Sequence, residues 1–93
     1  MNRDELQAFF KRREIDTRHI PPDVLERARK VVERIEGGES YLSVHGKRLV
    51  LNHRRISIPL GRKWRLLADE EDARLSFRAV MSHQTYDSYI TFA

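Results

Sequence analysis

Two segments within the first 36 residues repeat their apolar side chains at helical spacing. Residues 4–13 place Leu6, Phe9 and Phe10 three and four positions apart, with acidic residues before them and basic residues after them. That order suits the dipole of a short helix. Residues 22–36 follow Pro21, stop before Gly37-Gly38 and keep a 3.6-residue period. Both segments are predicted helices, and the second has an apolar stripe of Val24, Leu25, Ala28, Val31, Val32 and Ile35.

From Tyr41 onward the apolar period changes toward two, which is typical of β-strands. Three alternating segments, 48–52, 55–60 and 63–68, and a fourth predicted strand at 75–82 are separated by the turn-like sequences NHRR, LGRK and ADEEDA. This order predicts an α+β fold in which two N-terminal helices pack on one face of a four-stranded antiparallel sheet. The chain of 93 residues is predicted to be a single domain, residues 1–93, with helices at about 4–13 and 22–36 and strands within 41–83.

The predicted sheet carries a one-sided charge. Residues 41–68 hold seven Lys or Arg and no Asp or Glu, although the whole chain has 18 basic and 14 acidic residues. Cations without neighbouring carboxylates suit a polyanion, because each one that meets a phosphate releases condensed counterions. We therefore predict a nucleic-acid partner, with contacts from Lys47, Arg48, Arg54, Arg55, Arg62 and Lys63. The simpler alternative is a solvated strand face with edge-protecting charges.

The alternation also predicts which side chains share a face. Arg48, Arg55 and Arg65 occupy the polar phase of their strands, so we expect all three on the sheet face opposite the helices. Trp64 lies on the other phase, together with Leu66, and is expected to pack toward the helices.

Composition argues against several classes of protein. The chain has no cysteine, which excludes a disulfide framework and thiolate zinc sites, and its four histidines show no metal-ligand spacing on a helix. We therefore expect no metal and no cofactor. No apolar stretch approaches the ~20 residues that span a bilayer, and the start MNRDELQ lacks the apolar run of a secretory signal. These features predict a cytoplasmic protein with no membrane partner.

Two motifs in the second half of the chain resemble those of the RelE/ParE toxin superfamily, and within it the small ParE-like toxin group. In that family an arginine-bearing strand, Arg-x-x-x-Gly-x-Tyr-Arg-Leu-Leu, is followed by a hairpin and by a last strand that ends in His or Arg with a nearby Tyr. The first pattern is matched in RISIPLGRKWRLL and the second in FRAVMSHQTYDSYI, at Arg62, Trp64, Arg65, Ser82, His83 and Tyr86. The resemblance covers residues 47–90, and Trp64 stands where the family usually has Tyr.

This resemblance implies the toxin of a bacterial type II toxin–antitoxin system, neutralised by a cognate antitoxin protein that covers the basic surface or the helices. Family members similar to RelE cut mRNA on the ribosome without a metal, and so inhibit translation. Such cleavage needs a base for the 2′-hydroxyl proton, a cationic clamp for the phosphorane and an acid for the leaving 5′-oxygen.

Three residues are candidates for these catalytic roles. Arg65 is the predicted clamp, because a guanidinium stays charged and can grip two phosphate oxygens; its alternative is a strand arginine paired with the acidic turn. His83 is the predicted acid or base, since an unperturbed imidazole titrates near pH ~6.5; its alternative is an ordinary surface histidine. Tyr86 is the candidate for a second proton carrier or for a platform on which a base stacks.

Two other functions remain open at this point. One is a ParE-like inhibitor of DNA gyrase, which binds its protein target and carries out no chemistry of its own. The other is a non-catalytic module that binds RNA or DNA. The closeness of His83 and Tyr86 after the last strand favours the endoribonuclease, because a gyrase inhibitor needs no proton carrier there.

Overall fold

A computed structural model describes residues 1–50 and 53–86 of the chain. Helices α1 (Arg3–Arg12) and α2 (Pro22–Glu36) come first, and a single 3₁₀ turn (Tyr41–Val44) leads into the sheet. Its strands are β1 (Lys47–Arg48), β2 (Arg55–Pro59), β3 (Trp64–Glu71) and β4 (Arg74–Ser82). They lie in sequence order, and each pairs antiparallel with the next. The predicted helices, their order and the four-stranded antiparallel sheet are therefore confirmed.

Two strands differ from the prediction by more than one residue at an end. The first strand is only two residues long, begins one residue before the predicted segment 48–52 and overlaps it only at Arg48. Residues 51 and 52 of that segment are outside the described part of the chain. The predicted acidic turn is shorter than expected, because Asp69, Glu70 and Glu71 belong to β3. Only Asp72 and Ala73 form the turn, both with positive φ, as in the tight hairpin whose twist matches that of its strands. The acidic side chains therefore lie along a strand, beside β2.

One apolar core joins the helices to one face of the sheet. The buried side chains of α1 are Leu6, Phe9 and Phe10, and those of α2 are Val24, Leu25, Ala28 and Val32. They share a contact cluster with Ile56, Ile58, Leu66 and Ala68 of β2 and β3. The predicted stripe of α2 thus faces the core, although Val31 and Ile35 at its margin are only partly buried.

The strand register divides the sheet residues between its two faces. Directly paired residues of antiparallel strands point to the same side, and successive residues alternate. Ile56 pairs with Ala68 and Ile58 with Leu66, so these four positions define the helix face. Ser57 pairs with Leu67, and Pro59 with Arg65, so these positions define the opposite face, called here the open face.

The helical hairpin is held by an ion pair and by an arginine over a ring. Arg13 donates from Nε and Nη2 to the two carboxylate oxygens of Glu36, each at 2.9 Å, and its guanidinium lies 3.6 Å from the centre of the Phe9 ring. The connector then joins the outer edge of β4, where Val80 N–H donates to the Asp16 carbonyl at 2.8 Å. Both helices are therefore anchored against the sheet, with its other face left for the site.

Val32 provides a direct test of this core. Its side chain is fully buried, with 0% exposure, so Val32→Asp would bury an unpaired carboxylate at a cost of several kcal/mol. That is a large part of the ~5–15 kcal/mol that stabilises a typical domain, and we expect Val32→Asp to be unfolded at room temperature in thermal or urea melts. The control, Lys30→Asp, places the same side chain at an exposed position of α2 and should stay folded. A Val32→Asp melt that matches wild type would show that α2 does not pack on the sheet.

Candidate active site and nucleic-acid interface

Two of the predicted catalytic residues, Arg65 and His83, both contact the ring of the third, Tyr86. The Arg65 guanidinium carbon lies 5.6 Å from the centre of that ring, in a cation–π arrangement. The His83 ring stacks on the Tyr86 ring, with 6.3 Å between ring centres and 27° between ring planes. Arg65 enters the cluster from β3 and the other two from the helical residues 83–86 that follow β4. The structure thus assembles Arg65, Tyr86 and His83 as a row of contacts, called here the Tyr86 cluster.

The turn between β2 and β3 lies directly beside this cluster. The backbone N–H of His83 donates to the Lys63 carbonyl at 2.5 Å, so the end of β4 is tied to the basic turn. Arg62 and Lys63 are exposed there, and within residues 1–50 and 53–86 neither of them forms an ion pair. Two candidate phosphate contacts therefore lie at the same end of the sheet as His83.

The exposure of the clustered side chains differs sharply. His83 is exposed and accessible to a substrate, whereas Tyr86 is only 8% exposed. Arg65 is half-buried, and its Nε atom has no hydrogen-bond partner among the described residues. The buried ring of Tyr86 is therefore placed to hold Arg65, and little of it is free to stack on a base.

An open-face cavity of about 400 Å³ adjoins Arg65. It is lined by Lys47, Arg48, Leu49, Val50, Ser57, Arg65 and Tyr86. Ser57 is only 3% exposed, and its hydroxyl, like Arg65 Nε, finds no hydrogen-bond partner in the described part of the chain. Sequence reasoning missed Ser57, although its position between the buried Ile56 and Ile58 in β2 is a signal that could have singled it out.

The prediction that Arg48, Arg55 and Arg65 lie on one face of the sheet is wrong for Arg48. Arg55 and Arg65 do lie on the open face, because Arg55 pairs with Asp69 and Arg65 with Pro59. Arg48 instead pairs with Ile56, which belongs to the helix face. The difference arises because β1 is offset from the predicted strand, and a shift of one residue in register moves a side chain to the other face.

Acidic residues neutralise one end of the basic surface that is predicted to bind nucleic acid. Arg48 pairs with Glu70 at 2.7 Å, Arg54 with Glu71 at 2.6 Å and Arg55 with Asp69 at 2.9 Å. The acids lie outside the basic block in sequence, but the antiparallel pairing of β3 with β2 brings them alongside it. Three of the six predicted nucleic-acid contacts are thus engaged by carboxylates, and the others, Lys47, Arg62 and Lys63, are all exposed.

Asp69 is the most enclosed of these acids, with 15% of its side chain exposed. It accepts a hydrogen bond from Arg55 Nε at 2.9 Å and another from Arg78 Nε at 3.0 Å. Burial raises the pKa of Asp69, but the hydrogen bonds and charges of the two arginines outweigh it and hold the pKa below its ordinary value of 3.8. The Arg55–Asp69–Arg78 group is therefore charged at neutral pH and serves the structure of the sheet.

No group of residues in the described ranges has the arrangement of a metal site. No helix among those residues is long and apolar enough to cross a membrane.

Comparison with known families identifies the chain. The ParE-like toxin domain matches residues 22–88, which include α2, the sheet, the cavity and the Tyr86 cluster. The chain belongs to this family, within the RelE/ParE toxin superfamily. It is thus a toxin of the toxin–antitoxin type, and a cognate antitoxin is its implied protein partner. Comparisons with curated proteins and with solved structures give no significant match.

The acidic end of the sheet yields a pH prediction. Because the folded-state pKa of Asp69 is lowered, its stabilisation is fully present above the unfolded pKa, about 3.8, and is lost as pH falls through the folded value. At pH 7 we expect Asp69→Asn to lower the free energy of unfolding by roughly 1.5–3 kcal/mol, through weaker hydrogen bonds to two charged groups. Urea melts between pH 7 and pH 2.5 should show this difference shrinking below pH 3.8.

The matched control is Asp72→Asn, which removes a carboxylate from the exposed turn of the same hairpin. It should change the free energy of unfolding little at any pH. An Asp69→Asn difference that stays constant down to pH 2.5 would contradict the assigned role of the charge.

Proposed function

We propose that this toxin is a metal-independent endoribonuclease that cuts mRNA on the ribosome. The observation that carries the proposal is the Tyr86 cluster, in which a cation and an imidazole both contact one buried ring. Arg65 and His83 supply two of the three catalytic groups that RNA cleavage needs: a cation that stabilises the phosphorane and a group that carries a proton.

The surroundings of Arg65 support its assignment as the clamp. Pairing with the acidic residues of the hairpin was the alternative, but those acids bind Arg48, Arg54, Arg55 and Arg78. Among the described residues Arg65 forms no ion pair, and its Nε–H is unused. The guanidinium therefore keeps its charge and its fork of donors for a phosphate.

In the proposed reaction the 2′-oxygen of the substrate attacks the adjacent phosphorus as the bond from phosphorus to the 5′-oxygen breaks. The products are a 2′,3′-cyclic phosphate and a free 5′-hydroxyl. His83 carries one of the two protons, either from the 2′-hydroxyl or to the 5′-oxygen, and Arg65 stabilises the charge on the pentavalent phosphorus. Tyr86 holds Arg65 by its ring, and its hydroxyl is the candidate for the other proton transfer.

Inhibition of DNA gyrase is the second candidate function. The ParE-like family assignment favours it, because ParE-like gyrase inhibitors bind a protein and need no proton carrier. A plain nucleic-acid-binding module is less well supported, since Arg48, Arg54 and Arg55 are engaged by acidic side chains and do not extend a free cationic face.

Inducible expression in bacteria without the antitoxin separates these functions. Pulse labelling should show loss of protein synthesis before any loss of DNA synthesis, and the mRNA should carry new 5′-hydroxyl ends. Early loss of replication with DNA damage would instead assign gyrase as the target. Normal growth with the toxin present at detectable abundance would indicate a binding module or an inactive toxin.

Two substitutions test the catalytic roles directly. His83→Gln should lower the rate of ribosome-dependent mRNA cleavage by about 10²–10⁴-fold, because it removes a proton carrier and retains a polar side chain of similar size. Arg65→Ala should lower it by about 10²–10³-fold, as expected for loss of a donor to the transition state. Cleavage is measured on purified ribosomes with a labelled mRNA.

The matched controls are Arg74→Ala and His19→Asn. Arg74 is exposed at the opposite end of the sheet, and His19 has a positive φ of 62°, which asparagine tolerates. Both controls should cleave at the wild-type rate. Full cleavage by His83→Gln and Arg65→Ala at equal abundance would exclude the proposed roles.

A further inference from the structure

Two residues that line the open-face cavity have buried polar atoms that form no hydrogen bond with the described part of the chain. Ser57 Oγ and Arg65 Nε are both buried atoms with no partner within residues 1–50 and 53–86. A buried polar group without a hydrogen bond costs about 1–3 kcal/mol, so two of them beside one cavity call for an explanation.

The sheet register brings these donors to one place. Ser57 lies directly between Lys47 and Leu67 in neighbouring strands, and Arg65 is one residue pair farther along the same face. Side chains at such diagonal positions are roughly 7–8 Å apart at their backbones. A long arginine side chain can therefore share one small ligand with the serine hydroxyl, each at about 2.7–3.2 Å.

The side chains that line the open-face cavity favour an anion as its ligand. Lys47 and Arg65 are cations, Ser57 can donate its hydroxyl proton, and the described residues of the lining include no Asp or Glu. The mouth also includes Leu49 and the exposed Val50, which offer an uncharged surface to a group attached to that anion. At about 400 Å³ the cavity falls in the range of small-ligand sites.

We propose that this cavity is a phosphodiester subsite for one nucleotide of an RNA strand, in which Ser57 Oγ and Arg65 Nε donate to the non-bridging oxygens of one phosphate. Lys47 adds charge at the exposed edge, and Leu49 and Val50 contact the attached nucleoside. The proposal rests on the endoribonuclease function for its choice of RNA as the source of the phosphate. It adds Ser57 as a substrate-binding residue and makes Arg65 common to binding and chemistry.

The subsite can be tested without cleavage. The probe is a trinucleotide with 2′-O-methyl groups, which has phosphodiesters but no 2′-hydroxyl to attack them, and inorganic phosphate serves as the second probe. Ser57→Ala should raise the Kd of the trinucleotide at least ~10-fold by calorimetry, the value expected for one hydrogen bond to a charged group. Ser76→Ala, the same change at the far end of the open face, should bind like wild type.

Thermal melts give a second readout that a structural role of Ser57 would not produce. Without ligand, Ser57→Ala should melt at the wild-type temperature or above it, because the change removes an unpaired buried hydroxyl. The trinucleotide should raise the melting temperature of wild type and of Ser76→Ala, and raise that of Ser57→Ala much less. If Ser57→Ala fails to fold, Lys47→Ala replaces it, since Lys47 is exposed, and should weaken trinucleotide binding in the same assay.

The outcomes distinguish this subsite from the proposed function. Equal affinity of wild type and Ser57→Ala, or no trinucleotide binding by wild type, would overturn the subsite whether or not the toxin cleaves mRNA. Ser57-dependent binding with no cleavage on ribosomes would retain the subsite and exclude the endoribonuclease. Phosphate binding that depends on Ser57, with no tighter binding of the trinucleotide, would identify a free phosphate as the ligand and overturn the assignment to RNA.

Discussion

The burial of one face of β2 and β3 beneath the two helices is the constraint on which the structure depends. Ile56, Ile58, Leu66 and Ala68 must all point to the helices, and each has 0% exposure. Because strand side chains alternate, this fixes the intervening positions on the opposite face. Ser57 and Arg65 are thus brought side by side by the packing of their apolar neighbours.

The charge of the molecule is arranged by the hairpin between β2 and β3. Its antiparallel register places the acidic end of β3 alongside the basic start of β2, with Asp69 opposite Arg55. Carboxylates neutralise the arginines at that end, while the basic turn 60–63 and the Tyr86 cluster lie at the other. The result is a compact cationic end beside a neutralised one, which suits contact with a few phosphates better than with a long duplex.

Several side chains on the open face are buried, although α1 and α2 pack on the other face of the sheet. Leu67 is 2% exposed there, and Ser57 and Tyr86 are similarly enclosed, so the face is a partly closed site with polar atoms inside it. An enclosed site strengthens electrostatic interactions with a bound anion, because water no longer screens them. The same enclosure makes the unused donors costly until a ligand meets them. In the proposed subsite, stability and ligand binding are therefore opposed at Ser57.

The sequence by itself determined the two helices, the antiparallel sheet and the family, because these depend on local periodicity and on motifs a few residues long. It also predicted the inward face of Trp64, which packs against the core in the structure. It further predicted Arg65, His83 and Tyr86 as one functional group. Only the tertiary structure decided that Arg48 faces away from Arg55 and Arg65, that carboxylates engage three of the predicted phosphate contacts, and that Ser57 is an unpaired donor beside Arg65. Those properties depend on strand register and on pairing between distant residues, and a shift of one residue in register reverses them without any visible change in the sequence pattern.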